Sequence, residues 1–336
     1  MMDREPHPFA RFIKILGRGK TLTRSLTIEE AEEAMSMIIA EEVLPEQIGA
    51  FLMLLRIKEE SGEEIAGFVR AVRAAMKRPE PLPAVDVDWS SYAGKRRQLP
   101  WFILVTQILA RNGWRVFMHG TEGHTAGRLY TREALARIGL PVATSFAEAA
   151  RHMAERNFAY LPLEYISPKL AELIELRPIL GLRSPVHTLA RLLNPFDAPC
   201  AMQAVFHPGY MKIHRDAALL LGQSRMSVFR GEGGEIERRP NKSCDVMTVA
   251  DGVCVEERWP AILPDPRQTS DESMDLDRLD ALWRGEVSDE YAEAAIVGTL
   301  AIALRTMGVE QDSELAQRRA EYLWNQRDRS RLAAVA

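Results

Sequence analysis

A proline-rich break divides this 336-residue chain. Within Pro79-Glu-Pro-Leu-Pro83 each proline lacks an amide donor and restricts the residue before it, so no helix can run through the segment. On its N-terminal side Thr27-Ile-Glu-Glu30 and Ser61-Gly-Glu-Glu64 read as capping boxes, each pairing a hydroxyl and a carboxylate with orphan amides at a helix start. Ala31, Met35, Ile38 and Ile39 form the apolar stripe behind the first box, and Ile65, Phe68, Val69 and Val72 the stripe behind the second. Between them Pro45 opens a helix that buries Ile48, Phe51, Leu52 and Leu55. Residues 1–78 are therefore expected to form an all-helical unit.

Beyond the break the pattern changes. Short β-like runs, Trp114 to Met118, Phe158 to Leu161, Gln203 to Phe206 and Met226 to Phe229, alternate with helical stretches such as Ile103 to Arg111. Such alternation predicts an α/β domain around a mostly parallel central sheet. Ser288 to Met307, rich in Ala, Leu and Ile, reads as a long buried helix.

Composition excludes several classes. Lys plus Arg number 43 and Asp plus Glu 47, a net charge of −4, so no global basicity advertises nucleic acid or an anionic membrane. Apolar runs such as Ile48 to Leu55 fall far short of the ~20 residues that span a bilayer. The first residues lack the apolar run of a secretory signal, and a cytoplasmic location is expected. Three cysteines, Cys200, Cys244 and Cys254, without CxxC spacing, fit free thiols in a reduced compartment rather than a zinc site.

Few local motifs carry chemistry. Gly17-Arg-Gly-Lys-Thr21 lacks the earlier glycine of a phosphate loop, Lys14 standing in its place, and no strand precedes it. His119-Gly-Thr-Glu-Gly-His124 follows a predicted strand, but its ligand set is too cramped and incomplete for a metal, and a polar ligand loop is the better reading. The acidic run Asp271 to Asp280 fits no calcium loop and reads as a solvated helix face.

The stretch from Trp89 to Arg132 is different. It holds Lys95, Arg96, Arg97, Arg111, Arg115, Arg128 and Arg132 against Glu122 alone, a local charge of +6. Trp89, Tyr92, Trp101, Phe102 and Trp114 are interleaved with these cations. Cations that track a phosphate chain and rings on which bases stack are the chemistry of sequence-tolerant nucleic-acid binding. The competing expectation is that the rings face the core and the cations a solvated face.

Nearly the whole chain resembles the family of anthranilate phosphoribosyltransferase and thymidine phosphorylase, the family 3 glycosyltransferases. The resemblance rests on Leu26-Thr-Ile-Glu-Glu-Ala31, Gln47-Ile-Gly-Ala-Phe-Leu-Met53, Glu175-Leu-Arg-Pro-Ile-Leu-Gly-Leu-Arg-Ser184, Leu193-Asn-Pro195 and Phe206-His-Pro208. It implies a helical domain of residues 1–78, joined in space by about 162–190, hinged to an α/β domain of 84–161 and 191–336. It also implies dimers formed through the helical domain and a ligand in the cleft, where Ser91, Gly94, His119, Gly120 and Arg177 are the candidate residues.

The departures from the family bear on function. Its GTGGD pyrophosphate loop is replaced by Ser90-Ser-Tyr-Ala-Gly-Lys-Arg-Arg-Gln-Leu-Pro-Trp101, in which only Gly94 keeps that capacity. Its magnesium-holding Asp-Glu pair becomes Gly231-Glu-Gly-Gly-Glu-Ile-Glu-Arg-Arg239, and its KHGN loop survives only as Met118-His-Gly-Thr121. Arg177 matches the arginine that meets the aromatic acid, while Tyr165-Ile-Ser-Pro-Lys169 departs from the HPAM before it. Together these changes resemble the YbiB-like branch, which keeps the fold and the dimer and is similar to nucleic-acid-binding proteins. The implied function is that of a homodimer binding single- or double-stranded nucleic acid without sequence preference through Lys95, Arg96, Arg97, Arg238, Arg239 and Lys242. No metal or other cofactor is expected, magnesium entering only if transferase activity is retained. The alternative is phosphoribosyl or glycosyl transfer to an unidentified acceptor, with His119 or His124 as a base; no catalytic residue is assigned.

Overall fold

The computed structural model describes residues 5–19, 21–123, 125–267 and 270–333. Both capping boxes form as the sequence predicts. Thr27 and Glu30 close the start of α2 (Ile28–Ile39), and Ser61 and Glu64 the start of α4 (Gly62–Ala75). With α1 (Ala10–Leu16) and α3 (Pro45–Lys58) they surround an aromatic centre in which the Phe51 ring lies 5.2 Å from Phe9 and 5.9 Å from Phe68, edge to face. Leu163, Ile166, Leu170 and Leu173, from the stretch after the third strand, enter this same core.

Among the described residues one sheet of seven strands follows: β1 (Val87–Ser91), β2 (Val116–Gly120), β3 (Phe158–Pro162), β4 (Cys200–Val205), β5 (Arg225–Arg230), β6 (Cys244–Ala250) and β7 (Val253–Trp259). Their order is β3-β2-β1-β4-β5-β6-β7, parallel through β5 and antiparallel thereafter. The fold is thus α/β, a helical bundle beside a mixed, mostly parallel sheet, as expected.

Element boundaries depart from the sequence pattern in instructive ways. β2 begins only at Val116, because the Trp114 amide closes the end of α5 (Phe102–Arg111) by donating to the Leu109 carbonyl. β6 and β7 lie outside the strands that the pattern predicts. They form a hairpin on an Asp251-Gly252 turn with φ of 50° and 81°, and β7 is mostly solvated, so it lacks the apolar signature of an interior strand. The predicted long helix forms over Glu290–Met307, capped by the Asp289 carboxylate on the Ala292 amide, and packs with α5 into a second core on the other face of the sheet.

Cys200 and Cys244 are buried and Cys254 is exposed, all three unpaired. Burial pushes the Cys200 thiol up to about 12 and the Cys244 thiol up to about 11, so neither supplies a thiolate. No described helix is long and apolar enough to cross a membrane.

Candidate functional site

In this strand order the chain switches direction between β1 and β4, and doubly wound sheets bind ligands beyond the carboxyl ends of the strands at that point. Segments 92–97, 121–123, 125–130, 206–209 and 231–243 meet there. Beside them, Arg56, Arg183, Arg191, Phe206 and Tyr210 line a cleft of about 150 Å³ between the helical layer and the sheet.

Loop 92–97 is pinned from three directions. Lys95 and Leu129 exchange two backbone hydrogen bonds of 2.8 Å, the Arg128 guanidinium donates to the carbonyls of Ala93, Gly94 and Gly233, and the Asp271 amide donates to the Arg97 carbonyl. Asp271 therefore braces this loop rather than belonging to a solvated helix face. Gly94 has φ +69°, and a Cβ there would lie 2.9 Å from the Tyr130 ring, so a glycine is required twice over.

The Ala93 and Gly94 amides donate to Glu235 Oε1 at 2.6 and 2.5 Å. Lys95, fully buried, pairs with Glu232 and, at 2.5 Å, with Glu237. The second oxygen of Glu237 accepts from the Phe102 amide at the start of α5, at 3.0 Å. Burial, opposed by Lys95, pushes the Glu237 carboxyl up to about 7, while the two carboxylates outweigh burial and raise the Lys95 ammonium.

This arrangement corrects several expectations. Lys95 and Arg238 cannot face phosphates: Lys95 is consumed by carboxylates, and Arg238, 1% exposed, donates to the Pro260 carbonyl beneath the Trp259 ring. Gly94 does not offer a vacant amide. Trp89, Tyr92, Trp101 and Phe102 are all buried core residues and offer no stacking platform. Elsewhere in the +6 stretch, Arg111 pairs with Asp328, Arg115 with Asp86, and Arg132 with Glu122 and Glu164.

Ser91, His119 and Gly120 serve the interior. Ser91 Oγ shares a 2.7 Å hydrogen bond with Thr131 Oγ1. His119, with no exposed surface, lies between the Tyr92 hydroxyl, 2.7 Å from Nδ1, and Asp88 Oδ2, 3.2 Å from Nε2. Gly120 pairs with Ser91, where a Cβ would stand 2.0 Å from the Ser91 carbonyl oxygen. None of the three presents a reactive atom to the cleft, and a base role for His119 is not supported. Lys20 and His124 lie outside the described residues.

Arg177 does reach the cleft region, donating to Thr125 Oγ1 at 2.5 Å, and Arg183 donates to the same oxygen at 3.2 Å. Burial first, then the fields of Arg191, Arg128 and Arg177, lower Arg183 to about 10. Such mutual repulsion marks an electropositive recess. Sequence reading found Arg177 but missed Arg183 and Arg191, because only folding brings Arg177 and Arg183 to Thr125 and sets the Arg191 charge near Arg183.

What remains on the outside is a smaller cationic set. Arg96 and Arg97 are exposed, with no ion-pair partner among the described residues. On the bonded neighbouring loop Arg239 is half-buried and Lys242 exposed, and Arg230 at the end of β5 is exposed as well.

Comparison with known proteins bears on this architecture. The model of the glycosyl transferase family, helical bundle domain, matches residues 10–76. The chain is 29% identical over 229 residues to the anthranilate phosphoribosyltransferase of Dictyoglomus thermophilum, covering 67% of this chain and 66% of that one, just under two thirds. It is 27% identical over 254 residues to the uncharacterized protein YbiB of Escherichia coli, covering 72% and 76%. The crystal structure of anthranilate phosphoribosyltransferase from Thermus thermophilus superposes with a TM-score of 0.78 at 21% identity, covering 95% of this chain and 94% of that one. The enzyme from Saccharomyces cerevisiae in complex with PRPP and Mg gives 0.75 at 14% identity, covering 94% and 93%. The chain is thus similar to anthranilate phosphoribosyltransferases and shares their fold, and its N-terminal helices match the helical bundle domain of the glycosyl transferase family.

The family's magnesium does not fit the carboxylates present here. Glu235 is spent on two backbone amides, and Glu232 and Glu237 on the Lys95 ammonium, whose charge opposes a divalent ion in the same place.

Proposed function

We infer that this protein binds nucleic acid, single- or double-stranded, as a phosphate chain without reading its sequence, and that it does so in the cytoplasm as a homodimer joined through its helical unit. The observation that supports this reading is the Arg96–Arg97 pair, two adjacent exposed guanidiniums with no acidic partner among the described residues, on a loop braced by buried ion pairs. Arg239 and Lys242 extend the set from the loop bonded to it. In a chain of net charge −4, uncompensated cations grouped on two bonded loops make a local field that the total hides. Phosphate contacts of this kind fix a backbone and carry no sequence information. For the dimer, Leu44 and Ile57 leave apolar surface on the helical unit, 53% and 78% exposed.

The test is fluorescence anisotropy of a labelled mixed-sequence oligonucleotide at two salt concentrations. Tight binding that falls steeply with salt is expected. Absence of binding at low salt overturns the reading, and a monomer by light scattering overturns its dimeric part.

The recess around Arg177 and Arg183 favours a second reading, transfer of a phosphoribosyl or other glycosyl group to an acidic acceptor. Guanidiniums suit both a carboxylate acceptor and a departing diphosphate. Titration calorimetry with phosphoribosyl pyrophosphate, with and without magnesium, decides it: no heat in either case removes this alternative.

A further inference from the structure

Loop 92–94 has the shape of an oxyanion cradle, and the chain fills it from within. The left-handed turn at Gly94 lets two successive amides, those of Ala93 and Gly94, converge on one oxygen, Glu235 Oε1. Converging backbone amides of this kind form an electropositive nest for anions. Close by, the Phe102 amide at the start of α5 and the Lys95 ammonium hold the two oxygens of Glu237. Two carboxylates two positions apart thus occupy three amides and an ammonium, a donor set that also suits the phosphoryl groups of a diphosphate.

The geometry points to Glu235 as a built-in competitor that occupies a latent oxyanion site on Ala93 and Gly94 and keeps phosphate and diphosphate groups out of it. The carboxylate is delivered by a tight turn. A Cβ on Gly231 would lie 1.7 Å from the Glu235 carbonyl oxygen, so only glycine lets the chain double back closely enough. The turn is tied down by Lys95 on Glu232 and by Arg128, which spans the carbonyls of Ala93, Gly94 and Gly233. Glu235 is 1% exposed, so solvent does not compete for it. Its second oxygen has no hydrogen-bond partner among the described residues, which leaves that part of its charge to the field of Arg191. A tethered anion acts at an effective concentration of about millimolar or more, which free phosphate must exceed before it displaces the carboxylate.

The amide resonances of Ala93 and Gly94 in the full-length protein test this with inorganic pyrophosphate as the probe and chloride as the ionic-strength control. In the wild type both resonances stay fixed in millimolar pyrophosphate, any shifts being confined to exposed cationic residues such as Arg96, Arg97 and Lys242. In Glu235→Ala the same two resonances move and saturate, with affinity about tenfold or more above any wild-type response at these amides. Equal movement in the wild type overturns the proposal, as does a folded Glu235→Ala whose two amides do not respond. If that variant does not fold, Glu235→Gln serves: it keeps the size of the side chain and loses the charge. Pyrophosphate affinity at the two amides is expected to rise about tenfold in it, and an unchanged affinity overturns the proposal.

Discussion

Lys95 Nζ lies 2.5 Å from Glu237 Oε1, and neither side chain has any exposed surface. A lysine that reads in sequence as the leading phosphate contact is the centre of an internal ion cluster. Its removal strands the Glu232 and Glu237 carboxyl groups in the interior. Lys95→Met is therefore expected to lose about 3–5 kcal/mol of stability in urea denaturation, the usual cost of breaking a buried pair from one side. Glu237→Gln in the same background recovers part of the loss by removing one uncompensated charge. A Lys95→Met protein of wild-type stability with weakened oligonucleotide binding contradicts the burial of this ammonium.

Removal of exposed cations has the opposite signature. Arg96→Ala with Arg97→Ala leaves no buried group unpaired, so stability is expected to change by less than about 0.5 kcal/mol. The slope of log K against log salt for a mixed-sequence oligonucleotide is expected to flatten by about two, and equally for different sequences. Arg239→Ala with Lys242→Ala acts in the same direction. Arg238→Met leaves the slope alone, because that guanidinium is 1% exposed beneath Trp259. Flattening in Arg238→Met, or none in the Arg96 and Arg97 double variant, rejects this division of the arginines.

Legibility from sequence followed the range of the interactions involved. The Thr27 and Ser61 boxes, the Pro45 start and the Pro79–Pro83 break are decided by residues a few positions apart, and each stands where the pattern puts it. The rings of Trp89, Tyr92, Trp101 and Phe102 had two possible environments, and the core took all four. β1 hides because Asp88, Ser90 and Ser91 are polar, yet each is buried and bonded to a neighbouring strand or helix. The fate of Lys95 depends on Glu232 and Glu237, about 140 positions away, and no local pattern announces such a pair. Arg96 and Arg97 escape because no described carboxylate returns to them.

Gly120 illustrates how a cleft candidate becomes a packing residue. It faces Ser91 across the β1–β2 register, with the Ser91 carbonyl oxygen 2.0 Å from where a Cβ would stand. Backbone cannot yield there without pushing β1 from β2. Gly120→Ala is expected to cost about 1–3 kcal/mol, the range for overpacking a tight interior. Thermal unfolding measures it, and an unchanged melting temperature means the two strands separate at that point more freely than their register implies.

His214 supplies a stability difference that pH alone can read. It is fully buried on the helix Tyr210–Leu220, with Nδ1 2.5 Å from Gln203 Oε1, and burial first, then the Arg191 charge, holds its imidazole down to about 3. An unfolded histidine titrates near 6.5. Between these values the unfolded chain binds a proton that the folded chain does not, so the contribution is complete above about pH 6.5 and is lost as pH falls. The loss amounts to about 1.4 kcal/mol per pH unit, or about 2 kcal/mol between pH 6.5 and 5. Carboxylates such as Glu237 titrate over part of the same range, and with a pKa raised by burial Glu237 acts with the opposite sign. The comparison is therefore wild type against His214→Gln in the same buffers, where the shared carboxylates cancel. The stability difference between the two proteins is expected to hold steady near pH 7 and above and to shift against the wild type below about pH 6.5. A difference that stays flat down to about pH 5 means that the imidazole takes up its proton equally in both states, which its burial beside Arg191 does not allow.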